Sequence, residues 1–77
     1  MIEQHRGYWI HGSATPGPPN TSYWESLGIV LKPGRNGSVI EVARLQDKGM
    51  TFDMEELAEW YGLELCRIAV DECLAER

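Results

Sequence analysis

The side chains able to do chemistry in this 77-residue chain are few and poorly matched. His5, His11, Cys66 and Cys73 are its only soft metal-ligand candidates, and their spacings fit none of the paired Cys/His knuckles that hold zinc. A cysteine nucleophile needs a depressed pKa and an oriented base, whereas Cys66 and Cys73 stand among carboxylates that disfavour a thiolate. Paired catalytic carboxylates, a phosphate loop and a dinucleotide fingerprint are all missing, because the glycines sit in turns rather than between a strand and a helix start. The expectation is a non-enzymatic protein with no catalytic residue, no metal ligand and no cofactor.

The aromatic residues offer a binding chemistry instead. Tyr8-Trp9, Tyr23-Trp24 and Trp60-Tyr61 are adjacent pairs, and neighbours on a strand point to opposite faces. One ring of each of the first two pairs must then leave the helix-covered side of a sheet. Such rings stack nucleobases in single-strand binders when positive charge accompanies them. Trp9 and Trp24 with Arg35 and Arg44 form the alternative nucleic-acid surface.

Charge weighs against that alternative. Residues 1–50 hold five bases and four acids, a net of +1, while residues 51–77 hold eight acids and two bases, a net of −6. An acidic field repels phosphates. Ala58, Gly62 and Leu63 have the spacing of a helix-turn-helix, but its second helix would carry only Arg67 against Glu64, Asp71 and Glu72, a poor match for a DNA groove.

The elements that must position these residues follow from local chemistry. A first strand lies between Arg6 and Ala14 and ends at the stiff loop Thr15 to Asn20, where Pro16, Pro18 and Pro19 remove donors and fix φ. A second runs from about Tyr23 to Lys32, with Leu27, Ile29 and Leu31 on one side and Trp24, Ser26, Gly28 and Val30 on the other, both fairly apolar. Asn36-Gly37 suits a tight hairpin, and a third strand follows from Ser38 to about Leu45.

Beyond Gly49 the chain becomes one acidic helix-forming run. Asp53-Met54-Glu55-Glu56 has the form of a capping box, which predicts a helix from Asp53 to about Ala75. Met54, Leu57, Ala58, Tyr61, Leu65, Ile68 and Ala69 make one coherent stripe across Gly62, and Gly62 would let the helix approach a sheet closely. A strand over residues 63–70 is the competing reading. Cys66 and Cys73 lie two turns apart, roughly 10 Å along the axis, too far to bridge; free buried thiols and a reducing compartment follow.

Leu63, Val70 and Leu74, with Trp60 beside them, form a second apolar stripe opposite the first. A helix packed on one sheet needs only one, so these four residues are the expected subunit or partner interface. A single domain spanning residues 1–77 has a small core, and a homodimer would stabilise it further. No apolar run reaches signal or membrane-span length, so the protein is expected to be cytoplasmic, with protein partners and no membrane contact.

Gly7-Tyr8-Trp9, the Asn36-Gly37 hairpin, Gly49-Met50-Thr51-Phe52 and the segment Gly62 to Glu72 together look like small uncharacterised bacterial domains of β-β-β-α order. The resemblance implies the fold and carries over no catalytic or binding residue. The resulting expectation is a two-layer α+β domain in which a three-stranded antiparallel sheet packs on one long C-terminal helix. Tyr8, Ile10, Leu27, Ile29, Ile40, Val42, Phe52, Leu57, Tyr61, Leu65 and Ile68 are its expected core. Its expected role is that of a small interaction module.

Overall fold

The computed structural model describes residues 1–74, which form an antiparallel meander of four strands followed by one helix. The strands are β1 (Ile2–His5), β2 (Tyr8–Pro16), β3 (Trp24–Pro33) and β4 (Val39–Gln46), ordered β1-β2-β3-β4 in the sheet. Helix α1 (Glu55–Ala69) continues as a π-helical turn, Val70–Leu74. The α+β class and the sheet-on-helix arrangement agree with the sequence reading, whereas the strand count is four rather than three.

The extra strand is β1. Arg6 and Gly7 both have positive φ, 53° and 88°, the backbone of a two-residue hairpin turn whose twist matches its flanking strands. This pairs Gln4 with Trp9 and His5 with Tyr8. The strand is hard to see in the sequence because its polar side chains form ion pairs rather than core. Glu3 binds Arg67 on α1, and His5 Nε2 lies 2.8 Å from Asp71 Oδ1.

Only one face of the sheet receives the helix, and three glycines select it. A Cβ at Gly12 would run into the Glu59 carbonyl and the Leu63 amide, one at Gly28 would lie 2.6 Å from the Gly62 carbonyl oxygen, and one at Gly62 2.6 Å from that of Leu27. The helix backbone therefore rests almost directly on the strands, an approach open only to residues without a side chain. Ser26 secures the contact with a 2.7 Å hydrogen bond from its buried hydroxyl to the Ala58 carbonyl.

This contact turns the helix away from the orientation expected from its large side chains. The small ridge Ala58, Gly62 and Cys66 points at the sheet, with Leu63 and Val70 buried along its flank. Ile10, Val30, Leu63, Cys66 and Val70 form the core, bordered by Tyr8, Val42, Ala43, Leu45 and Leu74. Of the expected core, Ile10 is fully buried and Tyr8, Val42, Phe52, Tyr61 and Leu65 half-buried. Leu57, Ile68 and Ile40 are exposed, and Leu27 and Ile29 lie on the opposite face of β3. The register shift between Val30 and Leu31 contributes, because it sets Ala43 and Leu45 opposite Val30 and Gly28 on the covered face.

Two further expectations concern the helix itself. It runs without interruption through Gly62, as the stripe requires, and the residues after Tyr61 are helical rather than extended. Its N-cap is Met54 with no side-chain cap bond, so the capping box from Asp53 to Glu56 is not made; acids in the first turn still face the positive end of the helix dipole. Ala75, where the helix was expected to end, lies outside the described residues.

Candidate functional site

The uncovered sheet face carries an apolar surface whose placement the fold dictates. Alternation sends Trp9 and His11 of β2 and Leu27, Ile29 and Leu31 of β3 away from the helix, since Ile10, Gly12, Ser26, Gly28 and Val30 are the buried set. Residues paired across an antiparallel ladder share a face. One row therefore reads Gln4, Trp9, Leu31, Glu41, and the next Ile2, His11, Ile29, Arg44. A third row sets Ser13, Leu27 and Gln46 side by side. The arrangement is a mainly apolar centre of Trp9, Leu27, Ile29 and Leu31 with His11 among them, inside a border of Gln4, Ser13, Glu41, Arg44 and Gln46 that is polar except at the exposed Ile2.

Glu25, opposite Thr15 in the same phase of β3 as Leu27, is an ion on this face with no ion-pair partner among the described residues, whereas Glu41 and Arg44 are paired with each other. Arg44 Nε and Nη2 donate to the two oxygens of Glu41 at 3.1 and 2.9 Å, so the pair closes on itself at the border. β4, the outer strand beside it, is interrupted by the register shift opposite Val30 and Leu31, which blunts its edge for pairing with another strand. The face of the sheet is the better-prepared surface.

The four residues expected to form an interface on the helix do not come together. Leu63 and Val70 are core residues, 2% and 0% exposed. Leu74 is half-buried against that core, its carbonyl accepting the Tyr8 hydroxyl at 3.4 Å. Trp60 alone stands outside, 51% exposed, with the Arg67 guanidinium 5.6 Å from its ring centre. Arg67 in turn binds Glu3 and Glu64.

The residues of the nucleic-acid alternative are also divided. Trp9 and Arg44 share the open face, with Arg44 engaged by Glu41. Trp24 belongs to the other face, in phase with Ser26, and exchanges backbone hydrogen bonds of 2.7 and 2.8 Å with Phe52. Arg35 sits in the 3-10 turn at the tip of the β3–β4 hairpin.

The proline-rich segment folds into a compact loop between β2 and β3. Gly17 N donates to the Tyr23 carbonyl at 2.9 Å and Thr21 Oγ1 to that of Pro18 at 2.7 Å. The residues from Pro16 to Trp24 enclose an open depression of about 450 Å³. It contains no charged side chain, so it offers shape without a handle for a specific ligand.

The thiols differ in a way the sequence did not anticipate, for Cys66 is buried and Cys73 exposed. Burial pushes the Cys66 thiol up, against smaller opposing effects of its backbone contacts with His11 and Ile29. A raised folded pKa means that the stability Cys66 contributes is complete below the ordinary thiol range and is lost as pH rises through its folded value. In native protein at pH 8, a disulfide-exchange reagent should titrate one thiol per chain rapidly, Cys73, while Cys66 reacts at least 100-fold more slowly. Two equally fast thiols would show that Cys66 is accessible.

Among the described residues, no three His, Cys, Asp or Glu side chains come together as a metal-binding group, and no helix is long and apolar enough to cross a membrane. Comparison with protein-family models, with curated proteins and with solved structures finds no match to this chain.

Proposed function

We propose that this protein is a non-enzymatic interaction module whose primary partner is a second copy of itself, joined through the open sheet face. The observation that carries this reading is the mainly apolar centre of Trp9, Leu27, Ile29 and Leu31 within a mainly polar border, the composition of a protein interface rather than of a water-facing sheet. The whole molecule measures 43 × 25 × 16 Å, so its broadest side projects on the order of 1,000 Å² and the sheet face is a part of it, against about 800 Å² per partner in stable interfaces of standard size.

Charge favours a second copy here over one at the helix. Two open faces meet with Glu41 and Arg44 already paired and one unpaired carboxylate each, Glu25 at the end of the sheet, while two helix faces would oppose several carboxylates to carboxylates. Face-to-face sheets about 10 Å apart would bury four apolar side chains from each chain, with Trp9 as the expected anchor, and would supplement a core of few residues. Nucleic-acid binding has less support, since Trp9 and Trp24 occupy opposite faces and Arg44 is engaged.

Sedimentation equilibrium tests the proposal. At tens of micromolar the wild type should sediment at twice the chain mass, and Leu31→Lys, beside the expected anchor Trp9 but only half-buried, should sediment as a folded monomer. A wild-type monomer at that concentration, or a Leu31→Lys protein that is still dimeric, would remove the sheet face as the contact.

A further inference from the structure

The outer face of α1 is the second unpartnered surface, and its chemistry differs from that of the sheet. Leu57, Trp60 and Ile68 are 47%, 51% and 51% exposed, at spacings of three and eight residues that keep them on the solvent side of the helix. Met54 stands exposed at the N-cap. Leu57 to Ile68 covers roughly 16 Å of helix axis, three turns of contact for a second helix packing ridge into groove.

Carboxylates frame these apolar side chains. Asp53, Glu55, Glu56 and Glu72 are exposed and have no ion-pair partner among the described residues. Glu64, between Leu57 and Ile68, carries Arg67 on one side, and Arg67 is the only base of α1. The surface is thus an apolar stripe with unbalanced negative charge along it. A second copy would bring like charge against like charge, and nucleic acid or an anionic bilayer would be repelled. A cationic partner gains on both counts.

We propose that the outer face of α1 docks a cationic amphipathic helix, its apolar side chains resting on Leu57, Trp60 and Ile68 and its lysines or arginines meeting Asp53, Glu56 and Glu72. This is the helix-on-apolar-face mode of peptide recognition with charge selecting the partner. It does not depend on self-association, because the face is exposed in the single chain.

The test uses the full chain and an 18-residue leucine–lysine peptide patterned to form one apolar helical face. A peptide of identical composition with scrambled order, and a leucine–glutamate peptide of the first pattern, serve as controls. Tryptophan fluorescence and calorimetry should report binding of the patterned lysine peptide that weakens at least tenfold between 50 and 300 mM salt, roughly the behaviour of contacts between exposed charges. The protein should remain indifferent to the glutamate peptide. Leu57→Ser with Ile68→Ser should weaken binding at least tenfold while the circular dichroism stays unchanged, and Leu31→Lys on the sheet should leave it as it was. Equal binding of the scrambled peptide would reduce the effect to bulk charge attraction and overturn the proposal, as would binding undiminished in the Leu57/Ile68 variant or none at 50 mM salt. Because the Leu31→Lys arm reads the sheet surface separately, loss of one result leaves the other interpretable.

Discussion

Gly12→Ala should lower the melting temperature by roughly 15 °C, the shift that about 3 kcal/mol produces in a domain of this size. The added methyl would overlap the Glu59 carbonyl and the Leu63 amide, both backbone groups of a helix that cannot yield locally. Relief requires lifting α1 off the sheet, which opens the core of Ile10, Val30, Leu63, Cys66 and Val70. Gly28→Ala should behave similarly, since its Cβ would press on the Gly62 carbonyl and on the Cys66 sulfur, 2.6 and 2.8 Å away.

Gly49→Ala is the matched control. A Cβ there would meet only the Asp47 side chain, at 3.7 Å, and thermal circular dichroism should place its midpoint within a few degrees of the wild type. Stability at this length is on the order of 4–12 kcal/mol, so the Gly12 substitution removes a large fraction of it. A Gly12→Ala protein that melts with the wild type would mean that the helix does not rest on the strands as described.

A still larger loss is expected from Leu63→Glu combined with Val70→Lys. Each substitution places a charge at a fully enclosed position, where desolvation costs several kcal/mol unless the group finds a partner, and together they exceed the whole stability of the domain. The double variant should show no cooperative thermal transition and collapsed amide proton dispersion. Leu57→Glu with Ile68→Lys, at exposed positions six residues before Leu63 and two before Val70, should keep both. This contrast reports directly on helix rotation: if the Leu63/Val70 variant folds and only its association changes, those side chains face outward after all.

These variants also mark where the amino-acid pattern stops being decisive. The 54–74 segment has apolar residues on three adjoining ridges, one of Leu57, Tyr61, Leu65 and Ile68, one of Leu63, Val70 and Leu74, and a small-residue ridge of Ala58, Gly62 and Cys66 between them. Periodicity alone selects the bulkiest ridge for the core. The structure selects the small one, because Gly12 and Gly28 let the backbones come so close that the large flanking side chains still reach the sheet from one side.

The candidate sheet surface was half visible for the same reason. β3 has apolar residues in both phases of its alternation, so Leu27, Ile29 and Leu31 could equally be read as core, and Trp9 could be placed only as one ring of a pair. The face became definite once the glycines seated the helix on Ser26, Gly28 and Val30. β1 escaped notice because Glu3 and His5 take their partners from Arg67 and Asp71, more than sixty residues away; no local window contains both ends of such a pair.

Local chemistry by itself determined the strand-rich first half, the proline-rich loop after Pro16, the turn at Asn36-Gly37, an unbroken helix through Gly62 and its acidic surface, since dihedral preference, missing donors and charge act within a few residues. Tertiary structure alone decided which face of the sheet is covered, how α1 is rotated upon it, and that Ile2–His5 joins the sheet. Those outcomes depend on backbone approach and on ion pairs between segments distant in sequence, and such terms acquire a value only when the segments meet.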